Sequence, residues 1–182
     1  MSRWEYLDSE AFQLRELIAA ELLSGECAEV LEIGADYTGI SGTPLAHDFR
    51  EITLVGPECH GDYDHVVAIE CCFQDLEAGF FVPAPDGVAM LGLALEGMTE
   101  AAWAHLFDLV NGARRTVIEY PPAHPLPVQQ AQRIRANTDT MMTYYFDLDL
   151  RTVPVGDPRV EKFGLRRFCV LEPAKPGAEN GS

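Results

Sequence analysis

The segment Val30–Ile33 is an apolar strand interrupted by one acid, Glu32, and it runs straight into a turn that holds Gly34, Gly39 and Gly42. A strand that leads into a glycine-rich turn fixes how an α/β fold begins. Glycine tolerates positive φ and leaves the main chain open to close approach by a ligand. The glycine spacing then limits which ligand can approach. A dinucleotide pyrophosphate needs G-x-G-x-x-G at the mouth of a helix, with N–H donors aimed at the phosphates. Here Gly34, Gly39 and Gly42 are five and three residues apart, and Asp36 stands where the second glycine would be. A carboxylate repels a pyrophosphate but attracts a cation. The turn therefore favours a cationic adenosyl ligand over a diphosphate.

Hydrophobic periodicity organises the rest of the chain. Asp8 to Leu23 carries Ala11, Leu14, Leu17, Ile18 and Leu22 at helical spacing, with Gly25 to end the helix. A short helix is expected over Thr43–His47, and strands over Ile52–Val55, His65–Ile69 and the nearly continuous apolar run Asp86–Leu93. Thr99 opens a helix whose Trp103, Leu106, Phe107 and Val110 share a face, and Thr116–Glu119 start a further strand. Residues 128–142 are expected to be helical after the prolines at 121, 122, 125 and 127. Phe146, Leu148 and Leu150 alternate with polar residues as in a half-buried strand, and Leu165–Leu171 make the last strand. Strands alternating with helices imply a parallel sheet, and two final strands with no helix between them imply an antiparallel pair. A nicotinamide-binding domain would continue with a sixth parallel strand, so this ending argues against one.

A length of 182 residues suits one domain, 1–172, with a Pro-, Gly- and Glu-rich tail over 173–182 expected to be disordered. The net charge of −16 argues against nucleic acid and anionic membranes as partners, because both are drawn by basic surfaces. No stretch reaches the roughly eighteen apolar residues of a membrane span, and no basic, apolar leader opens the chain, so a cytoplasmic location is expected. The five cysteines are expected to be reduced thiols. Cys59, His60, His65, Cys71 and Cys72 lie close in sequence but lack a C-x-x-C pair, so no zinc site is expected.

The run Val30-Leu-Glu-Ile-Gly-Ala-Asp-Tyr-Thr-Gly39 resembles the first motif of the class I S-adenosylmethionine-dependent methyltransferases, and Tyr37-Thr-Gly-Ile-Ser41 resembles the turn of their O-methyltransferase branch. Two departures stand out. Asp36 replaces a usual glycine, and one residue more separates Gly34 from Thr38-Gly39. The resemblance implies a Rossmann-like methyltransferase fold, with a mostly parallel seven-stranded sheet and a terminal antiparallel hairpin. It also implies S-adenosylmethionine as cofactor, held by Glu32, Gly34, Ala35, Asp36, Thr38 and Gly39. Glu58 would bind the ribose, Glu70 would approach the adenine, and Leu93 would line the sulfonium side together with the residues up to Glu96.

The activity implied is methyl transfer to an O or N atom of a small molecule. Positioning and exclusion of water can carry much of such a reaction. The candidate bases are Glu96, Glu119, Tyr120 and His124, just beyond the fourth and fifth strands; Tyr120 and His124 flank a proline-stiffened loop. No Asp occurs in Leu91–Gly97, so a metal-assisted mechanism is not expected. Residues 1–25, with Trp4, Tyr6 and Phe12, would form a lid, or a homodimer would complete the pocket. The rival readings are the same fold with a non-methylating use of S-adenosylmethionine, a catalytically silent partner subunit, and a nicotinamide-dependent dehydrogenase.

Overall fold

The computed structural model describes residues 10–77, 79–81, 83–93, 95, 97–149 and 164–174. Trp4 and Tyr6, the side chain of Phe12, Glu96 and the tail beyond residue 174 lie outside the described residues.

Seven strands form one sheet: β1 (Glu29–Ile33), β2 (Glu51–Val55), β3 (Val66–Ile69), β4 (Gly87–Leu91), β5 (Arg115–Tyr120), β6 (Thr140–Asp149) and β7 (Leu165–Pro173). Their order is β3-β2-β1-β4-β5-β7-β6. The first five strands pair in parallel, while β7 inserts antiparallel between β5 and β6. The mostly parallel sheet with its terminal hairpin is the one expected from the sequence.

The helices depart from that expectation. Strands and helices alternate only from β4 onward, through α2 (Glu100–Gly112) and α3 (Pro125–Ala136). Between β1 and β2 there is no α-helix: the chain makes two 3-10 turns, Gly39–Gly42 and Ala46–Asp48, where a helix over Thr43–His47 was expected. Pro44 lies between the two turns, and a proline lacks the N–H that a continuous helix needs. The expected helix over 128–142 stops at Ala136. Asn137 and Thr138 turn their side chains back onto Arg133 O and Ile134 O at 2.8 and 2.9 Å, which caps the helix, and Thr140–Met142 already belong to β6.

Period-two alternation sorts the strands onto two faces. Leu31, Ile33, Val88, Met90, Ile118 and Tyr120 pack against Trp103, Leu106 and Val110 of α2 and Ala131 and Ile134 of α3. Val30, Ile52, Leu54, Ala89, Leu91, Val117, Phe168 and Val170 face α1 (Glu10–Leu23) and the 3-10 turns, where Ile40, Ala46 and Phe49 complete the layer. Thr99 caps α2 by accepting the Ala102 N–H at 3.1 Å.

The inward stripe of α1 is not the leucine face. Arg15, Ala19, Ala20 and Leu23 are buried, whereas Leu14, Leu17, Ile18 and Leu22 are half-buried. The helix is rotated so that Arg15 reaches a carboxylate on the sheet, with small alanines letting the helix sit close.

Candidate functional site

The carboxyl ends of β1 and β4 are neighbours at the point where the strand order reverses, with β2 and β3 on one side and β5 on the other. Open α/β sheets bind ligands in the crevice at such a point, and a cavity of about 340 Å³ opens there. Ile33–Gly34 end β1 at its wall, Val55–Pro57 end β2, Cys71–Gln74 follow β3, and Leu95 follows β4.

Two glycines shape the floor of this cavity. Gly34, at φ 77°, lets the chain leave β1 so that its own N–H and that of Ala35 both donate to Val55 O, at 2.8 and 3.0 Å. A Cβ on Gly56 would stand 1.9 Å from Ala35 O, so the turns after β1 and β2 interlock backbone to backbone.

Glu32 points to the opposite face. It is 2% exposed, and its Oε2 accepts the Ile40 N–H at 2.7 Å. The same oxygen would lie 2.3 Å from a Cβ on Gly39, whose φ is 46°. Gly39 is therefore a glycine because the chain's own carboxylate fills the space above it. The Gly34 half of the turn borders the cavity, and the Gly39 half closes on Glu32.

Behind the turn, between α1 and the sheet, lies a layer of buried charge. Glu119 on β5 is wholly buried and pairs with Arg166 Nε of β7 and with Arg15 Nη1 at 3.6 Å, and it accepts the Gly92 N–H at 2.7 Å. Burial pushes the Glu119 carboxyl up, but Arg166, Arg15 and the hydrogen bonds from Arg166 and Gly92 outweigh it and hold it below the usual range. Glu32 and Glu16 lack such compensation. Burial, reinforced by Glu16 and only partly offset by the Ile40 N–H, raises Glu32 to about 8. Burial raises Glu16 to about 7 against the pull of Arg15, with Asp36 and Glu119 adding to the rise. Among the described residues, Glu16, Glu32 and Glu119 all interact with Arg15, and burial keeps the first two protonated to higher pH than usual.

The structure places the sequence-derived candidates as follows. Gly34 lines the cavity. Ala35 and Asp36 are buried in the turn, and Thr38 lines a second cavity of about 340 Å³ between α1 and the 3-10 turns, with Leu14, Glu16, Leu17 and Pro44. Glu58 and Glu70 are exposed and do not line the first cavity, and Leu93 is buried in the core at φ 22°. Tyr120 packs in the core with its hydroxyl 3.9 Å from Cys169 Sγ. His124 is the half-buried N-cap residue of α3. Cys59 Sγ lies 3.5 Å from Leu54 O, and His65 Nε2 lies 3.1 Å from Ala46 O; no metal-binding group of three or more His, Cys, Asp or Glu occurs among the described residues. Sequence reasoning missed Gly56, Cys71, Cys72, Phe73 and Gln74. Their one sequence signal is position, just beyond the ends of β2 and β3.

No family model matches the sequence, and no curated protein is significantly similar to it. Solved structures do match in shape. The 1,6-didemethyltoxoflavin-N1-methyltransferase of Burkholderia thailandensis, with 1,6-didemethyltoxoflavin and S-adenosylhomocysteine bound, superposes with a TM-score of 0.62 at 15% identity, over 93% of this chain and 81% of that one. The N-methyltransferase NodS of Bradyrhizobium japonicum gives 0.61 at 9% identity over 92% and 99%. The magnesium protoporphyrin IX methyltransferase of Synechocystis, with S-adenosylmethionine bound, gives 0.57 at 14% identity over 90% and 84%. At such identities the likeness is one of architecture, and together with the strand order it shows that the chain has the fold of the class I S-adenosylmethionine-dependent methyltransferases.

Proposed function

We propose that the chain binds S-adenosylmethionine in the crevice cavity and catalyses transfer of its methyl group, without a metal, to an O or N atom of a small molecule. One observation carries this reading: the cavity at the β1–β4 switch point is bordered by Gly34 and by the three-residue 3-10 turn Phe73–Asp75, and none of its described lining residues belongs to an α-helix. A diphosphate draws much of its binding from the aligned N–H groups and dipole of a helix start. An adenosyl thioether cation needs shape, apolar walls and a negative surround. Phe73, Ile33 and Leu95 supply the walls and Gln74 a hydrogen-bonding amide, and the chain's net charge of −16 supplies the sign.

Bound there, the cofactor supplies an electrophilic methyl carbon and leaves as a neutral thioether. The protein's task is to hold the acceptor in line and keep water out. Of the candidate bases, Glu119 is committed to Arg166 and Arg15 and Tyr120 to the core, which leaves His124 and Glu96, the latter outside the described residues, as the groups to take the acceptor's proton.

A second reading, the same fold without methyl transfer, is favoured by the ribose position: Glu58 is exposed, and no acid lines the cavity among the described residues. Calorimetric titration separates the two. Micromolar binding of S-adenosylmethionine and S-adenosylhomocysteine, abolished by Gly34→Val in a still-folded protein, supports the proposal. No binding of either sulfur ligand supports the silent-subunit reading, and binding of NAD instead refutes both.

A further inference from the structure

We propose that Gln130 is a positioning residue that holds Leu95 in the wall of the cofactor cavity, while Glu119 fixes Gly92 at the end of β4; the inference rests on the cofactor reading above.

The chain leaves β4 through two consecutive residues at positive φ, Gly92 at 80° and Leu93 at 22°. For leucine this is a sparsely populated conformation, which persists only where the surroundings over-determine it. Two buried polar side chains do so. At one end Glu119 Oε2 accepts the Gly92 N–H at 2.7 Å, and Glu119 is itself pinned by Arg166 and Arg15. At the other end the Gln130 amide binds Leu95 at two points: Nε2 donates to Leu95 O at 2.8 Å and Oε1 accepts the Leu95 N–H at 3.2 Å.

Gln130 is 6% exposed on the face of α3 that also buries Pro127, Ala131 and Ile134. An apolar side chain would suit that position better unless its hydrogen bonds mattered, because burying an amide is unfavourable without partners. Its partner is the backbone of Leu95, outside any strand, whose N–H and C=O both need satisfaction. Two contacts from one planar amide to the peptide units on either side of its Cα also fix the backbone of that residue. Leu95 then stands in the cavity wall beside Ile33 and Phe73.

The test compares Gln130→Met and Gln130→Glu with the wild type, by amide hydrogen exchange on the ligand-free protein and by titration with S-adenosylhomocysteine. Methionine matches the volume and removes both hydrogen bonds; glutamate keeps an acceptor for the Leu95 N–H and removes the donor. The expected result for Gln130→Met is at least tenfold faster exchange at Leu95, unchanged exchange in β1 and β4, and about tenfold weaker ligand binding. Gln130→Glu should fall between Gln130→Met and the wild type in both readouts. Unchanged exchange at Leu95 overturns the proposal, as does faster exchange with unchanged affinity. Loss of protection throughout the sheet marks a merely structural role and overturns it too. A wild type with no affinity overturns the cofactor reading itself, and that outcome is seen without any substitution.

Discussion

Replacing Glu32 by glutamine should make the protein more stable, and increasingly so as pH rises. The wild-type carboxyl is buried, accepts one backbone hydrogen bond and is raised from 4.5 to about 8. The unfolded chain releases this proton near 4.5, while the folded chain keeps it until about 8. Between those values the folded state binds more protons than the unfolded state, so this group's contribution to stability falls as pH rises and levels off above 8. Each pH unit of that window is worth about 1.4 kcal/mol, which sets a ceiling of about 5 kcal/mol at high pH. Because Glu16 shares the proton deficit, we take about 2 kcal/mol as the part that belongs to Glu32. Glu32→Gln preserves the shape and the acceptor for the Ile40 N–H but cannot ionise. The variant should match the wild type at pH 5 and exceed it by about 2 kcal/mol at pH 9, or about 4–8 °C in melting temperature for a domain of this size. Circular-dichroism melts of both proteins from pH 5 to 9 measure the difference directly. A difference that does not change with pH would refute the reasoning, and a variant less stable than the wild type at pH 9 would show that Glu32 is a favourable anion paired with Arg15.

Arg166→Met should destabilise the protein by about 3–5 kcal/mol in urea unfolding, because it leaves Glu119 buried with only the more distant Arg15. Gly39→Ala should destabilise by at least about 2 kcal/mol, since its Cβ meets the Glu32 carboxylate at a φ of 46°; adding Glu32→Ala should recover part of the loss in the same assay. His105 is buried against Phe73 with neither ring nitrogen hydrogen-bonded among the described residues, and burial lowers its pKa. The unfolded chain therefore takes up a proton near 6.5 that the folded chain refuses, and stability falls as pH drops below that value. His105→Phe should remove this acid sensitivity and raise stability at neutral pH by about 1–3 kcal/mol, read from melts at pH 5 and 7.

The sheet was legible because its signals are local. Val30–Ile33 and Asp86–Leu91 are apolar runs bounded by turn residues, and the closing pair of strands has no helical pattern between them. The errors fall where distant residues decide. The leucines of α1 form the stronger helical stripe, yet Glu119, more than a hundred residues away in sequence, draws Arg15 inward and rotates the helix. The run after Pro127 reads as helix through Met142, but the Asn137 and Thr138 side chains stop it, and β7 offers Thr140–Met142 a ladder to join. Of the cavity lining, Gly34 could be singled out from the sequence because its turn has a signature. Gly56 and Phe73 could not, since nothing local separates a residue in a crevice wall from any other at a strand end. Glu32 was legible as the one acid interrupting the first strand, but its hydrogen bond from the Ile40 N–H depends on how the turn folds back over it.

Cys71 and Cys72 both border the crevice cavity, in the wall built by the residues after β3. This gives the molecule an intrinsic occupancy gauge. Burial pushes the Cys71 thiol up, so alkylation there is slow at neutral pH and quickens as the solution becomes alkaline. Any compound that fills the crevice shields these sulfurs from a maleimide, and the labelling rate alone then reports how tightly that compound is held.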